Sequence, residues 1–385
     1  MAARFTRLAL SNWRNFKSVD VALGSRAFVV GPNASGKSNL LDAFLFLRDI
    51  AAPGGSLVRA MEERRGLEHI RSLHAGATSR VKVEIEVEVE GDPEPWVYLL
   101  ELSGGASRKR RLRIEQEVVR HGPELLLERP TRDETDQLLL TQTHLEQISQ
   151  SLRFRPLADA LASAVHVHLV PQVARAPARG EELAKREAPG SDFIDQLARL
   201  ADRPRDRALR RIEKLLQVAV PRFSGLNVTR DDVGRPHLEA RYEHWHLRGG
   251  WQNEQEFSDG TLRLIGLLWT LDQGTAPLLL EEPELSLHRD IIRQLPRLFA
   301  QATQRTGRQI LVSTHAEEML ADRGIDPSEI LILEPTKDQT KVIQGSEKPE
   351  LLHAAAAKVP LGRLVMSMTK PKAIEQLALP IAESR

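Results

Sequence analysis

The chain contains no cysteine. Disulfides, thiolate metal sites and cysteine nucleophiles are therefore excluded, and the composition fits a reducing, cytoplasmic setting. Aromatic residues make up only 4% of the chain, so no stacking platform for single-stranded bases is evident. Neither charge is in real excess: 54 basic side chains stand against 53 acidic ones. That excludes a histone-like binder held by bulk charge and leaves only local patches for nucleic acid. No apolar run approaches the roughly 20 residues of a membrane span, and the opening MAARFTRLALSNW lacks a signal-peptide core. The expectation is a cytoplasmic protein with no membrane partner. At 385 residues it has ample length for one large or two smaller cores.

Against these absences stand two clusters far apart in the chain. Gly31 to Ser38, GPNASGKS, matches the phosphate-loop pattern G-x-x-x-x-G-K-[ST] without departure. Arg26 to Val30 before it reads as a buried strand, and Asn39 to Leu47 after it reads as a helix. In this setting Gly31 and Gly36 let the backbone turn and present N–H groups to phosphate oxygens, with Pro32, Asn33, Ala34 and Ser35 between them and Asn39 just beyond. Lys37 would reach the terminal phosphates, and the Ser38 hydroxyl would hold Mg²⁺.

In the second cluster, Pro277 to His288 reads PLLLEEPELSLH. A leucine strand delivers Glu281 and Glu282 to its C-terminal edge, where open α/β sheets bind ligands. One carboxylate can hold a magnesium shell, and the next can orient or activate water. Ser258 and Gly260 in FSDGT open a further apolar run, Leu262 to Leu271, as a helix start suited to an anion. That start has no evident use inside its own subunit. Gln309 to Ser313 reads as another buried strand, ending at Thr314 and His315, where a histidine can meet a γ-phosphate or its attacking water.

The set GPNASGKSNLLDA, FSDGTLRLIGLL, LLLEEPELSLH and VSTHAEEML resembles the ABC-type ATPases of the RecF/SMC-like branch, among predicted ATPases related to OLD-family and PtuA-like proteins. The N-terminal ARFTRLALSNWRNFKSVDVALG resembles that family's opening strands. The resemblance implies an α/β P-loop NTPase of the ABC ATPase head type, with an antiparallel β subdomain and a compact helical insert. It implies ATP and Mg²⁺ as cofactors, Glu281 in the magnesium-side position, Glu282 as catalytic carboxylate and His315 as switch histidine. Ser258 and Gly260 would contact ATP across a homodimer that forms on ATP binding, and Arg14 would touch phosphate. DNA and a separate effector, such as a nuclease, are the implied partners. Two departures stand out: Glu281 replaces the usual Asp, and FSDGT replaces LSGGQ.

The rest of the chain reads as follows. Residues 1–130 hold the N-terminal half of the ATPase domain, including VKVEIEVEVE (Val81 to Glu90), whose strict alternation predicts a half-buried antiparallel strand. Trp96 to Leu102, Leu112 to Val119 and Glu124 to Glu128 continue the meander. Residues 131–220 read as a helical insert: Leu138, Leu145, Ile148 and Leu152 share one helical face, and Leu209, Ile212, Leu215 and Leu216 another. It is either plain core or a partner surface. Residues 221–345 form the C-terminal half of the ATPase domain and 346–385 a tail. The basic run Ser107 to Arg113 is either a solvated hairpin tip or a DNA contact. His166 and His168 would share a strand face as structural or metal-ligating residues, with no carboxylate close in sequence. The aromatics of Tyr242 to Trp251 are expected to pack a hairpin.

The leading expectation is an ATP-hydrolysing dimer switch serving DNA maintenance or anti-phage defence. The rivals are a non-catalytic ATP-dependent docking module and, third, a transporter's nucleotide-binding subunit.

Overall fold

The computed structural model describes residues 2–72, 74–76, 79–104, 112–130, 136–147, 150–175, 189–243 and 250–370. Two six-stranded sheets dominate it. The first is antiparallel and contains β1 (Ala3–Trp13), β2 (Phe16–Ala22), β4 (Val81–Val89), β5 (Trp96–Ser103), β6 (Arg113–His121) and β7 (Glu124–Arg129), in the order β2-β1-β4-β5-β6-β7. The second takes β3 (Arg26–Val30) from the N-terminal half. It adds β8 (Val165–Val167), β12 (Leu278–Glu281), β13 (Ile310–Thr314), β14 (Ile330–Pro335) and β15 (Thr340–Gln344), in the order β15-β14-β3-β13-β12-β8. All its pairings are parallel except β14 with β15. A three-stranded antiparallel sheet of β9 (Phe223–Arg230), β10 (Pro236–Tyr242) and β11 (Trp251–Asn253) stands apart, in the order β11-β10-β9.

The inner strands β3, β12, β13 and β14 of the second sheet are apolar on both faces, and each feeds two cores. Ala27, Val29, Leu279, Leu311 and Leu331 join a core with helix α1 (Lys37–Ala51) and the inner face of the antiparallel sheet. Their neighbours Phe28, Val30, Leu278, Leu280, Ile310 and Val312 face the opposite core. Complete burial of each such side chain contributes about 1.5–3 kcal/mol. Helix α1 thus lies between the two sheets. Gln309 stitches them: its Nε2 donates to Phe5 O and to Gly24 O, both at 2.7 Å, while Phe5 N donates to its Oε1 at 2.9 Å.

The remaining helices fill in around this frame. Short helices α2 (Leu57–Glu63) and α3 (Leu67–Ile70) follow α1. Residues 131–220 serve both cores. Helix α4 (Arg155–Ala162) packs in the core with α1, and β8 closes the parallel sheet against β12. Helices α5 (Pro171–Arg175), α6 (Phe193–Arg199) and α7 (Asp202–Ala219) go to the second core. There they meet α8 (Asp259–Asp272), α9 (Arg289–Ile292) and α10 (Leu295–Thr306). Helices α11 (Pro349–Ala356) and α12 (Gly362–Thr369) close the described chain.

One helical expectation fails. Leu138 to Leu152 holds only short 3₁₀ turns among its described residues, and Leu138 and Leu152 are exposed. A buried carboxylate explains this. Glu117 on β6 accepts from the backbone N–H of His144 at 3.0 Å and of Leu145 at 3.4 Å, so those donors are taken from any helix. Tyr98 Oη also donates to Glu117, at 3.0 Å, and Arg129 lies 3.4 Å away. In α7 the expected stripe holds for Leu209, Ile212 and Leu216, while Leu215 is exposed. Most of the Ser107–Arg113 run and of Tyr242–Trp251 lies outside the described residues. Tyr242 itself packs edge-on against Phe223, with ring centroids 5.8 Å apart.

Candidate functional site

Strand β3 ends at Val30 and helix α1 begins at Lys37, so the phosphate-loop sequence spans a strand-to-helix turn as its pattern requires. The turn is tight. Ala34 and Gly36 both take positive φ, 62° and 100°. A Cβ on Gly36 would overlap the Asn15 amide, and one on Gly31 would lie 2.9 Å from Leu333 Cβ. Asn15 clamps the loop: its Nδ2 donates to Ser35 O at 2.7 Å, and Asn39 Nδ2 donates to its Oδ1 at 2.8 Å. Lys37 is buried and folds back over the loop, donating to Gly31 O at 3.1 Å. The Ser35 hydroxyl is buried with no protein partner, as befits a loop that awaits a polar ligand.

The carboxylates arrive opposite. Strands β3 and β12 flank β13, which brings Ser38, Glu281, Glu282 and His315 to one edge of the sheet. Ser38 Oγ donates to Glu281 Oε2 at 3.4 Å. Lys37 Nζ lies 3.6 Å from Glu282 Oε1, and His315 Nδ1 lies 3.3 Å from that same oxygen. Glu282 sits just past the strand with φ 42°, an uncommon conformation for a side-chain-bearing residue and one that concentrates at functional sites. Behind His315, Glu284 is buried. Its Oε1 accepts from Thr314 Oγ1 at 2.6 Å and from His315 N at 3.1 Å. Burial pushes the Glu284 carboxyl up despite these donors.

Two residues with no assigned role complete the edge. β8 runs parallel to β12 and places His166 Nε2 3.3 Å from Glu281 Oε1, and His168 Nδ1 3.8 Å from Glu281 Oε2. Burial would raise the Glu281 carboxyl. His166 first, then His168 and Ser38, outweigh it and hold Glu281 below the usual carboxylate range. The sequence shows the paired histidines but not their carboxylate, which only the sheet order supplies. Among the described residues, no group of three or more His, Asp or Glu side chains could hold a metal by itself. The donor set that is present, a hydroxyl and a carboxylate beside a phosphate loop, suits a hard cation completed by phosphate and water.

The FSDGT segment opens α8. Ser258 is exposed and caps the helix, its Oγ accepting from Thr261 N at 3.1 Å. Gly260 has a use inside its own subunit after all: a Cβ there would run into the carbonyl oxygen of Ser286, in the turn that follows the carboxylates. Asp259 is tied to α5, with Arg175 Nη2 2.5 Å from its Oδ1 and Gln172 Nε2 donating to its Oδ2 at 3.1 Å. Arg14, the residue expected to touch phosphate, is paired beside α1. Its Nη2 pairs with Asp42 Oδ2 at 2.6 Å, one helical turn beyond Ser38, because Asp42 offers it a fixed carboxylate. Asn39 likewise turns to Asn15. The loop clamp by Asn15 and the brace by Glu284 were missed from the sequence, although Asn15 follows Arg14 directly and Glu284 lies within the quoted EEPE run.

A family model described as "AAA domain, putative AbiEii toxin, Type IV TA system" matches residues 26–320. The fold is similar to that of SMC heads. One such structure is an SmcHead bound to the C-winged helix domain of ScpA: TM-score 0.52, 16% identity, 88% of this chain and 96% of that one covered. Another is the Pyrococcus furiosus Smc head domain with an extended coiled coil, bound to the C-terminal domain of ScpA. There the TM-score is 0.51 with 14% identity, covering 92% of this chain and 100% of that one. No curated protein sequence matches.

Proposed function

The chain belongs to this AAA-domain family, and from that premise we propose that it is an ATP-binding and ATP-hydrolysing switch that works as a nucleotide-joined homodimer. The observation that carries the reading is the convergence of Lys37, Ser38, Glu281, Glu282 and His315 at one sheet edge. Gly31 to Ser38 would wrap the phosphates, with the N-terminus of α1 favouring their charge. Lys37 would neutralise the terminal phosphates. Ser38 and Glu281 would hold Mg²⁺, which when bound supplies charge stabilisation on the β- and γ-oxygens. Glu282 would hold the attacking water and accept its proton, and His315 would contact the γ-phosphate. Preorganised charge of this kind supplies most of the rate in phosphoryl transfer.

Replacing the usual Asp by Glu281 motivates the docking-module alternative. The Ser38–Glu281 contact argues for catalysis, since the longer carboxylate still reaches the magnesium-side hydroxyl. The start of α8 supports the dimer, because Ser258 stands exposed at its tip. Among the described residues no helix is long and apolar enough to cross a membrane. The biological task we propose is DNA maintenance or anti-phage defence with a separate effector, such as a nuclease; the toxin–antitoxin wording of the family description is compatible with the second.

Light scattering with saturating ATP tests the switch. The Glu282→Gln protein is expected to hold ATP and run at twice the chain mass, and a single-chain particle at saturation rejects the dimer. Adding duplex DNA at low salt and measuring ATPase tests direct DNA sensing; an unchanged rate rejects it.

A further inference from the structure

The edge strand β8 and the residue just past its end contribute two imidazoles to the acidic side of this site, His166 and His168, and they are not equivalent. His166 Nε2 approaches Glu281 Oε1, at 3.3 Å. Its side chain is 14% exposed, which suits a brace holding the carboxylate in place. His168 Nδ1 approaches Oε2, at 3.8 Å, and its side chain is 33% exposed. Oε2 is also the oxygen on which Ser38 Oγ hangs, at 3.4 Å. His168 Nδ1 and His166 Nε2 are both buried and make no hydrogen bond within the protein, so the two differ in which Glu281 oxygen they face: His168 alone faces the one that Ser38 also approaches. A hydroxyl and an imidazole nitrogen therefore both approach the same carboxylate oxygen, and Ser38 directly follows Lys37.

We propose that His168 supplies a nitrogen ligand to the divalent cation of the nucleotide, so that the site prefers Mn²⁺ to Mg²⁺. The proposal rests on the nucleotide-binding reading above. Neighbouring donors on an octahedral ion with ligand distances of about 2.1 Å lie about 3 Å apart. The two separations from Glu281 Oε2 need to close by less than about an ångström to reach that spacing. Both ions favour oxygen donors, but Mn²⁺, a transition ion at the start of the divalent affinity series, tolerates one imidazole in its shell better than Mg²⁺ does. Glu281, longer by a methylene than the usual Asp, reaches across to β8. The protein alone offers no complete metal cage, so uptake of the ion should depend on the triphosphate. His166 acts as a positioning residue on the far oxygen.

The test is pulsed electron paramagnetic resonance of Mn²⁺ added to the full chain with a non-hydrolysable ATP analogue. Wild type is expected to show coupling to one directly bonded ¹⁴N. The coupling should vanish in His168→Ala and His168→Gln and persist in His166→Ala. Competition with Mg²⁺ should show a preference for Mn²⁺ that falls about tenfold in the His168 variants, the scale on which ligand-shell changes act. Mn²⁺ and nucleotide bound together without nitrogen coupling overturn the proposal. So does coupling that follows His166 instead of His168, or an unchanged preference in both His168 variants. If wild type takes up no nucleotide in either metal, the nucleotide reading itself fails.

Discussion

The Lys37 ammonium stands 3.6 Å from the Glu282 carboxylate, so the residue assigned to the terminal phosphates and the residue assigned to the water already hold one another. A triphosphate must draw Lys37 away from Glu282. Glu282→Gln removes that competing charge while keeping the shape. Nucleotide binding is expected to tighten several-fold by fluorescence titration, while turnover falls by about 10²–10⁴, the usual contribution of a general base. Lys37→Ala is expected to abolish binding. Weaker binding in Glu282→Gln would show that the pair does not compete with phosphate.

Gly260 separates two readings of the FSDGT segment. The sequence places this glycine where an anion could come close, yet the structure fills the space above its Cα with the Ser286 carbonyl. Gly260→Ala is therefore expected to push α8 off the turn after the carboxylates, costing about 1–3 kcal/mol as an overpacked contact. Ser258→Ala should cost about 1 kcal/mol through the lost cap. Chemical denaturation of both variants checks this. If Gly260→Ala is as stable as wild type and loses only ATP-dependent dimerisation, the glycine serves the partner subunit and not Ser286.

How much of this was legible in the sequence depends on where each partner lies. Val81–Val89 was readable because alternation along one strand reports which face is buried, and Leu278–Glu281 because a leucine run this short, bounded by Pro277 and two carboxylates, suits a strand buried on both faces better than a helix. The phosphate loop carries its own geometry in its glycines. The failures all involve a remote partner. Leu138 to Leu152 has helical spacing, but Glu117 captures the backbone donors that the helix needs. His166 and His168 have no acidic neighbour in sequence, and meet Glu281 only because β8 lands beside β12. The pairing of Arg14 with Asp42 was likewise invisible before α1 was placed.

Arg175 links the two halves of the candidate site. It follows the β8 histidines closely, and its guanidinium both pairs with Asp259 and donates to Phe257 O at 2.8 Å. The start of α8 is thereby fixed to α5, the helix that follows β8 and the histidines facing Glu281. Arg175→Ala is expected to leave nucleotide affinity within about twofold and to lower kcat by at least about tenfold, a loss of roughly 1.4 kcal/mol in the transition state. Arg175→Lys should recover only part, since one ammonium cannot serve a carboxylate and a carbonyl in the fork geometry of arginine. A matching loss of affinity and rate would place Arg175 in general folding instead.

The approach to α8 also carries a pH dependence. Glu254 is buried, and its two oxygens take His237 Nδ1 at 2.7 Å and the backbone N–H of Leu238 at 2.9 Å. Its own carbonyl accepts from Arg175 Nε at 3.3 Å, so this carboxylate anchors the stretch leading to Ser258. The hydrogen bond to Glu254 raises His237 above its ordinary 6.5, against the opposing effect of burial and with help from Asp231. The folded state therefore binds this proton more tightly than the unfolded chain does, and stability falls with rising pH wherever that difference is populated. The contribution is complete below pH 6.5 and is lost as the pH climbs through the raised value of His237. Thermal unfolding followed by circular dichroism should show Tm falling across that interval in wild type. His237→Gln keeps a donor for Glu254 but cannot titrate, so its Tm should be lower at acidic pH and flat over the same interval. Parallel curves for the two proteins would mean that another group sets the slope.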